Sequence, residues 1–291
     1  MIIAIPFTKA SGAGNDFVMV DNRTYFLPNN KSALARQLCS RHFGIGADGL
    51  LTLENSNNAD FSMEYYNSDG SCGGMCGNGG RCIARFAFLH RIVGHRMSIE
   101  ALHFVYQAEV MAEKVRLSMK DPGNFEQGID FSLDGHAYSG FSLDTGSPHF
   151  VTFVDSLDAI PVSRLGREIR YAKRFAPDGT NVDFAQIEAS DTVRLRTYER
   201  GVEVETLACG TGAVATGIVA SMQRGLSFPV TIEVRSGETL LVSAQIDNGR
   251  IHSPVLEGSA HILFDGRVCY DTVQEEIVDL HRQPSASGIV E

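Results

Sequence analysis

The chain is written twice, and that duplication restricts its fold more than any other feature. Residues 7–21 carry a Gly-rich turn, Gly12-Ala13-Gly14, that runs into an alternating strand, and residues 141–155 do the same through Thr145-Gly146-Ser147. A second pair leads from an alternating stretch at 63–67 to Cys76-Gly77-Asn78-Gly79, and from one at 195–200 to Cys209-Gly210-Thr211-Gly212. Cys209 follows Cys76 by 133 positions (209 − 76), and Phe150 follows Phe17 by the same interval (150 − 17). Two elements that keep one register over this distance mark a repeated structural unit.

After each Cys-Gly-x-Gly the apolar period becomes helical: Cys82, Ile83, Phe86 and Leu89 in the first copy, Val214, Ile218 and Met222 in the second. Strands are expected to follow at 98–105 and 109–119, then at 230–235 and 239–246. Each half therefore reads as α+β, a sheet-rich unit with one main helix, and 291 residues suit two such domains. Asp121-Pro122-Gly123-Asn124 has the turn chemistry of a boundary. It separates an N-terminal domain, 1–122, from a C-terminal domain, 123–261. The small, polar segment 283–291 is expected to be a flexible tail.

A net charge of −10 and the lack of a basic run argue against a nucleic-acid partner, and no apolar stretch approaches a membrane span. The N-terminus has no basic region and no small-residue cleavage site, so a cytoplasmic location is expected. In that compartment the six cysteines are read as buried, metal-bound or catalytic rather than disulfide-bonded. Cys72, Cys76 and Cys82 form C-x3-C-x5-C, which matches neither zinc nor iron–sulfur spacing, so no metal is expected. Gly44-Ile45-Gly46-Ala47-Asp48-Gly49 fits a dinucleotide fingerprint literally, but it follows a helical stretch at 34–41 where the fingerprint requires a strand.

Cys39, Cys82 and Cys269 suit packing roles, and Cys72 a loop near the site. Cys76 and Cys209 are different. Each sits between a strand and a helix, where unpaired N–H groups and the helix dipole favour a thiolate and attract an anion. Two such ends across a cleft would hold an α-carboxylate with one sulfur on each face of the α-carbon. Inverting a stereocentre needs two such groups, because a proton removed from one face must be replaced from the other. Thiols suit the task, since their pKa of about 8.5 can be moved toward neutrality.

These residues belong to a longer ordered set. It comprises Gly14-Asn15-Asp16-Phe17, Arg41-His42-Phe43-Gly44, Asn67-Ser68-Asp69-Gly70-Ser71, Cys76-Gly77-Asn78-Gly79-Gly80-Arg81-Cys82, Gly146-Ser147-Pro148-His149, Gly179-Thr180-Asn181, and Tyr198-Glu199-Arg200-Gly201 ahead of Cys209. In these blocks the sequence resembles the diaminopimelate epimerase family. The resemblance implies two pseudo-symmetric domains, each a curled mixed sheet around a central helix, with the active site in the cleft between them. A last strand at about 262–275 would return to the first domain. It further implies a homodimer that interconverts LL- and meso-diaminopimelate with no cofactor, in lysine and peptidoglycan precursor biosynthesis.

By position the catalytic pair falls on Cys76 and Cys209, with His149 and Glu199 in support. Substrate contacts fall on Asn15, Asn67, Gly77, Asn78, Asn181, Glu199, Arg200, Gly210 and Thr211. A structural histidine is the plainer alternative for His149, and an ion pair with Arg200 is the plainer one for Glu199. The sequence departs from the family pattern at Gly49 and Ser147, both assigned to the distal end of the substrate or the turn around it. An alternative substrate, such as a histidine- or proline-like amino acid, keeps the same two-thiol chemistry.

Overall fold

The computed structural model describes residues 1–133, 135–247 and 250–279, so the segment 283–291 lies outside the described residues. The first half runs β1 (Ile2–Gly12), β2 (Asn15–Asp21), α1 (Lys31–Cys39), β3 (Gly49–Glu54), β4 (Phe61–Asn67), α2 (Gly77–Leu89), β5 (Arg96–Ala101), β6 (Phe104–Met111) and β7 (Lys114–Ser118). The second runs β8 (Gly123–Leu133), β9 (His136–Asp144), β10 (Pro148–Phe153), α3 (Val162–Arg170), β11 (Asn181–Ala189), β12 (Thr192–Glu199), β13 (Val204–Glu205), α4 (Gly210–Arg224), β14 (Val230–Val234), β15 (Thr239–Asp247) and β16 (Arg250–Ser259). Two strands follow, β17 (His261–Asp271) and β18 (Glu276–Val278).

The pairing pattern is duplicated along with the sequence. In the first half β2 lies parallel to β3, β3 antiparallel to β4, β4 parallel to β5, and β5, β6 and β7 form an antiparallel meander. The second half repeats this with β10, β11, β12, β14, β15 and β16. The halves meet where β7 pairs antiparallel with β16. Beyond this seam the chain changes sides. β8 pairs with β9 of the second half, while β17 crosses back and pairs with β1 along its length, Ile2 opposite Asp271 and Ser11 opposite His261.

α2 and α4 are the buried helices of the two halves. α4 is buried without a break from Gly210 to Ala220, and α2 from Gly77 to Ala84. Helices that are apolar all round belong inside a sheet rather than on it. Their side chains enter one apolar core with both sheets: Phe17, Ile83 and Leu117 from the first half, Val214, Ile218, Leu240 and Leu256 from the second. α1 and α3 each cover a smaller core of their own on the outer side. α4 stops at Gly225, whose left-handed φ of 74° ends the helix without strain.

Two strand expectations are corrected. The stretch 98–105 is a hairpin, β5 turning into β6 at Leu102 and His103, whose φ values are 49° and 65°. A two-residue turn of this hand normally announces itself with Asn or Gly, and neither is present to show the break. The stretch 109–119 likewise turns at Ala112, with φ 50°, between β6 and β7. The helix expected at 34–41 begins earlier, at Lys31, where the Asn30 side chain accepts the Ala33 N–H as its N-cap.

Leu256 of β16 is fully buried beneath both cysteine-bearing helix ends: a Cβ at Gly77 or Gly210 would meet its Cδ2 at 2.9 or 3.2 Å. Leu256→Ala should therefore cost about 2–5 kcal/mol of stability in a urea titration. A loss within experimental error of zero would show that the two helix ends are not supported from this position.

Candidate active site

The two cysteine loops are one local structure used twice. Cys76 is the N-cap of α2 with φ −108° and ψ 115°, and Cys209 is the N-cap of α4 with φ −116° and ψ 114°. Strands β4 and β12 deliver the chain to these loops, and the glycine after each cysteine lets the two helix ends touch. A Cβ on Gly210 would lie 3.1 Å from the Cα of Gly77 and 3.3 Å from the Asn78 nitrogen, so a side chain at either glycine would force the ends apart. Asn78 fastens the contact, its amide donating to the Ala208 carbonyl at 3.1 Å across the seam.

A cavity of about 570 Å³ opens over this junction. Of the residues singled out in the sequence, Asn15, Asn67, Cys76, Gly77, Asn78, Asn181, Glu199, Arg200, Cys209, Gly210 and Thr211 all line it. His149 does not. It lies behind the wall, fully buried, with Nε2 2.9 Å from the Thr211 hydroxyl and Nδ1 2.6 Å from Asp183. Ser147 lines the cavity and bonds both Asn181 and the Arg200 guanidinium. Gly49 is not among the lining residues. It begins β3 and is needed because a Cβ there would strike the Tyr65 ring, so the assignment of Gly49 to the substrate's distal end is corrected.

The individual settings differ. Cys76 Sγ accepts the Gly79 N–H at 3.4 Å and lies 3.6 Å from Asn15 Oδ1, whose own amide donates to Asp48 at 2.7 Å. Cys209 is almost entirely buried and lies 3.4 Å from the Thr211 hydroxyl. Asn181 spans the far wall, donating to Ser147 and the Pro148 carbonyl and accepting the Arg200 N–H at 2.8 Å. Asn67 is held by Ser71 at 2.9 Å. Glu199 accepts the Thr206 hydroxyl at 3.0 Å, and no described carboxylate pairs with the Arg200 guanidinium. The plain alternative, a Glu199–Arg200 ion pair, is therefore not formed.

Burial, rather than the helix dipole, governs the two thiols. Desolvation pushes Cys76 up to about 11 even though the Gly79 and Asn78 N–H groups pull the other way. Cys209 is raised well above the ordinary thiol value by its burial and by the charges of Glu199 and Asp183. The helix-end N–H groups favour each thiolate as expected, but the cost of a desolvated charge exceeds what they return. Burial also lifts the Glu199 carboxyl to about 7, so it changes charge near neutral pH. Cys39 and Cys82, pushed up to about 12, are inert packing residues as expected. Cys269 is only half-buried on β17, and Cys72 is exposed.

Sequence reasoning missed Asp48, Arg41, Tyr65 and Asp183. The first three line the cavity, and Arg41 bridges Asp16 and Asp48 at 3.0 and 2.7 Å. The repeat interval would have found one of them, since Asp48 is the counterpart of Asn181 (181 − 48 = 133). By the same interval Asp16 corresponds to His149, whereas the strand pairings put Asn67, opposite Gly49, at the place of Tyr198, opposite Val182. No group of His, Cys, Asp and Glu among the described residues is placed to hold a metal ion, and none of the helices is long and apolar enough to cross a membrane.

Two duplicated lobes meeting at paired helix ends define a fold class with several solved members. A phenazine biosynthesis protein of the PhzF family from Bacillus anthracis is similar with a TM-score of 0.72 at 13% identity, covering 91% of this chain and 99% of that one. A hydroxyproline epimerase from Agrobacterium vitis, solved with bound trans-4-hydroxy-L-proline, has a TM-score of 0.71 at 15% identity, covering 96% of each chain. Within that class the family model described as diaminopimelate epimerase matches residues 7–125 and 141–263. The diaminopimelate epimerase of Aquifex aeolicus is 41% identical over 281 residues, covering 92% of this chain and 99% of that protein. That of Chlorobaculum tepidum is 45% identical over 262 residues, covering 89% and 99%. The chain belongs to the diaminopimelate epimerase family, whose members are isomerases.

The raised thiol at Cys76 has a direct consequence. Its alkylation by iodoacetamide in the free protein should be slow at pH 7 and accelerate about tenfold per pH unit toward pH 10. A rate already level between pH 7 and pH 9 would show a preformed thiolate.

Proposed function

We propose that this protein interconverts LL- and meso-2,6-diaminopimelate by two-thiol acid–base catalysis without a cofactor, in the cytoplasm and as a homodimer. One observation carries the reading: Cys76 and Cys209 cap two abutting helix N-termini in one cavity, each in the same backbone conformation. The family's pathway role, supplying lysine and peptidoglycan precursors, follows from that activity. The two lobes, residues 1–122 with 262–275 and residues 123–261, would close on the substrate and expel water.

The substrate's reacting α-carboxylate fits between the two sets of helix-end N–H groups, which stabilise the charge that develops when the α-proton leaves. One sulfur, as thiolate, takes that proton, and the other, as thiol, returns one to the opposite face. The thiols exchange roles in the reverse direction. Asn15, Asn67 and Asn78 supply donors and acceptors along the first lobe's wall, and Asn181 does so on the second. The Arg200 guanidinium touches the Ser147 hydroxyl and no described carboxylate, so it can take the distal carboxylate in two parallel bonds, which favours a substrate with two amino-acid heads over a proline-like one. Glu199 takes the ammonium.

Reduced protein without added pyridoxal phosphate should exchange the α-proton of LL- and meso-diaminopimelate in deuterated water. Cys76→Ala and Cys209→Ala should each lower inversion by about 10²–10⁴-fold with the melting curve unchanged. Either single variant inverting at near the parent rate would refute the two-base scheme.

Glu199 adds a pH signature. Its folded-state value of about 7 lies above the ordinary carboxylate range, so the charged form that holds an ammonium is lost as pH falls through 7. kcat/KM should therefore rise with pH across that range. Glu199→Gln should remove this limb and lower kcat/KM roughly 10- to 150-fold, the worth of one charge-assisted hydrogen bond. An unchanged limb in the variant would assign it to another group.

A further inference from the structure

The two thiols are not equivalently served, although their loops are. At the position that matches His149, the first half carries Asp16, which is bound to Lys9 at 2.7 Å and to Arg41 at 3.0 Å and makes no contact with Cys76. Among the described residues Cys76 meets an asparagine oxygen and the backbone N–H groups of Gly79 and Asn78. Cys209 instead begins an unbroken chain of polar contacts: 3.4 Å to Thr211 Oγ1, 2.9 Å from there to His149 Nε2, and 2.6 Å from His149 Nδ1 to Asp183 Oδ2. His149 and Asp183 are both fully buried, and Thr211 and Cys209 are nearly so.

The direction of each hydrogen in this chain is fixed by the groups around it. Asp183 Oδ1 accepts the Thr197 hydroxyl at 2.7 Å, and the first turn of α4 approaches so closely that a Cβ at Gly212 would lie 2.6 Å from the same oxygen. Among the described residues His149 is the one group paired with Asp183 that can become a cation. A carboxylate at Nδ1 puts the imidazole proton on that nitrogen and leaves Nε2 as an acceptor. The Thr211 hydroxyl then donates to Nε2, and its oxygen is left to accept from the Cys209 thiol. The Asn181 amide nitrogen lies 3.4 Å from Nε2, but its two hydrogens go to Ser147 and the Pro148 carbonyl, which leaves Nε2 to Thr211. The remaining charged group near both His149 and Cys209 is Glu199 at the end of β12.

We propose that Cys209 is made a base by this chain: Thr211 is its proton relay and Asp183 the positioning residue that lets His149 receive the proton. In the step, the Cys209 S–H bond breaks and its proton goes to the Thr211 oxygen, while the original Thr211 hydroxyl proton passes to His149 Nε2. The products are a thiolate at Cys209 and an imidazolium paired with the Asp183 carboxylate, so charge is separated but not created. Among the described residues no such relay reaches Cys76: when Cys209 is the base, Cys76 enters as the thiol that protonates the opposite face, and in the reverse direction the thiolate left by that step takes the proton back. The relation of a carboxylate to a histidine that takes a proton from a nucleophile is familiar from hydrolytic triads, where the acid fixes the tautomer and stabilises the cation. Here a hydroxyl stands between histidine and sulfur.

The proposal rests on the two-thiol reading above, but its test reads Cys209 directly, so the two can fail separately. Iodoacetamide alkylation of each cysteine in the substrate-free protein is followed at pH 7 by peptide mass mapping. As a bare charge Asp183 opposes a thiolate at Cys209, so if that were its whole effect, Asp183→Asn would speed alkylation. The relay requires the opposite: Asn donates to Nδ1, moves the imidazole proton to Nε2 and blocks the acceptor. Cys209 should then react at least about tenfold more slowly in Asp183→Asn, with Cys76 unchanged within about twofold. Thr211→Val should slow Cys209 to the same degree, and Thr211→Ser, which keeps the hydroxyl, should restore it. An unchanged or faster Cys209 in Asp183→Asn overturns the proposal. Should that variant not fold, the Thr211 pair decides: equal Cys209 rates in Thr211→Val and Thr211→Ser overturn it.

Discussion

The contact between Gly77 and Gly210 is the constraint to which the remaining architecture answers. Two helix N-termini carry like partial charges and would not rest against each other without reason. They are held there from behind by Leu256, from the side by the Asn78 bond to Ala208, and from below by the Arg81 guanidinium. Arg81 is completely buried, donates to the Gly77 carbonyl at 3.2 Å and to Asn78 at 3.1 Å, and approaches the Ser259 carbonyl of β16. A positive side chain beneath two positive helix ends concentrates electrostatic demand for an anion at one point, and it does so before any substrate arrives. The glycines, the buried helices and the seam between β7 and β16 all follow from bringing those ends together.

Much of this was legible because the gene product repeats itself. The 133-residue register located both helices, both cysteine loops and the equivalence of the halves, and the ordered family blocks located eleven of the residues that line the cavity. What escaped was of three kinds. The turns at Leu102–His103 and Ala112 carry no residue that signals a left-handed conformation, so two hairpins read as two strands. The electrostatics escaped for a different reason. A helix N-terminus lowers a thiol's pKa and desolvation raises it, and how far the surroundings are dry is a property of the assembled lobes. Asp183 escaped for a third: its counterpart in the first half is Leu50 (183 − 133), an ordinary core residue, so the repeat gave no hint of a buried carboxylate.

The site therefore combines symmetry of shape with asymmetry of chemistry. Equivalent positions hold cysteine with cysteine and glycine with glycine, which serves a reaction whose two faces are near mirror images. They also hold Asp48 with Asn181 and Asp16 with His149, so a carboxylate in the first half faces an amide or an imidazole in the second. Duplication supplied two matching helix ends, and divergence at the paired positions made their surroundings chemically unlike.

The return of β17 to β1 has a consequence for how the molecule comes into being. Partners such as Ile2 and Asp271 are separated by nearly the whole chain, so the first lobe emerges from the ribosome with an unpaired strand edge that persists until the second lobe has been made. Contacts of such sequence separation are slow to form, and an open edge is an invitation to wrong partners. The duplicated β8, already beside β9 and of the same kind, is the nearest mimic of the missing strand. A nascent chain of this design must keep β1 from its own internal copy until β17 arrives.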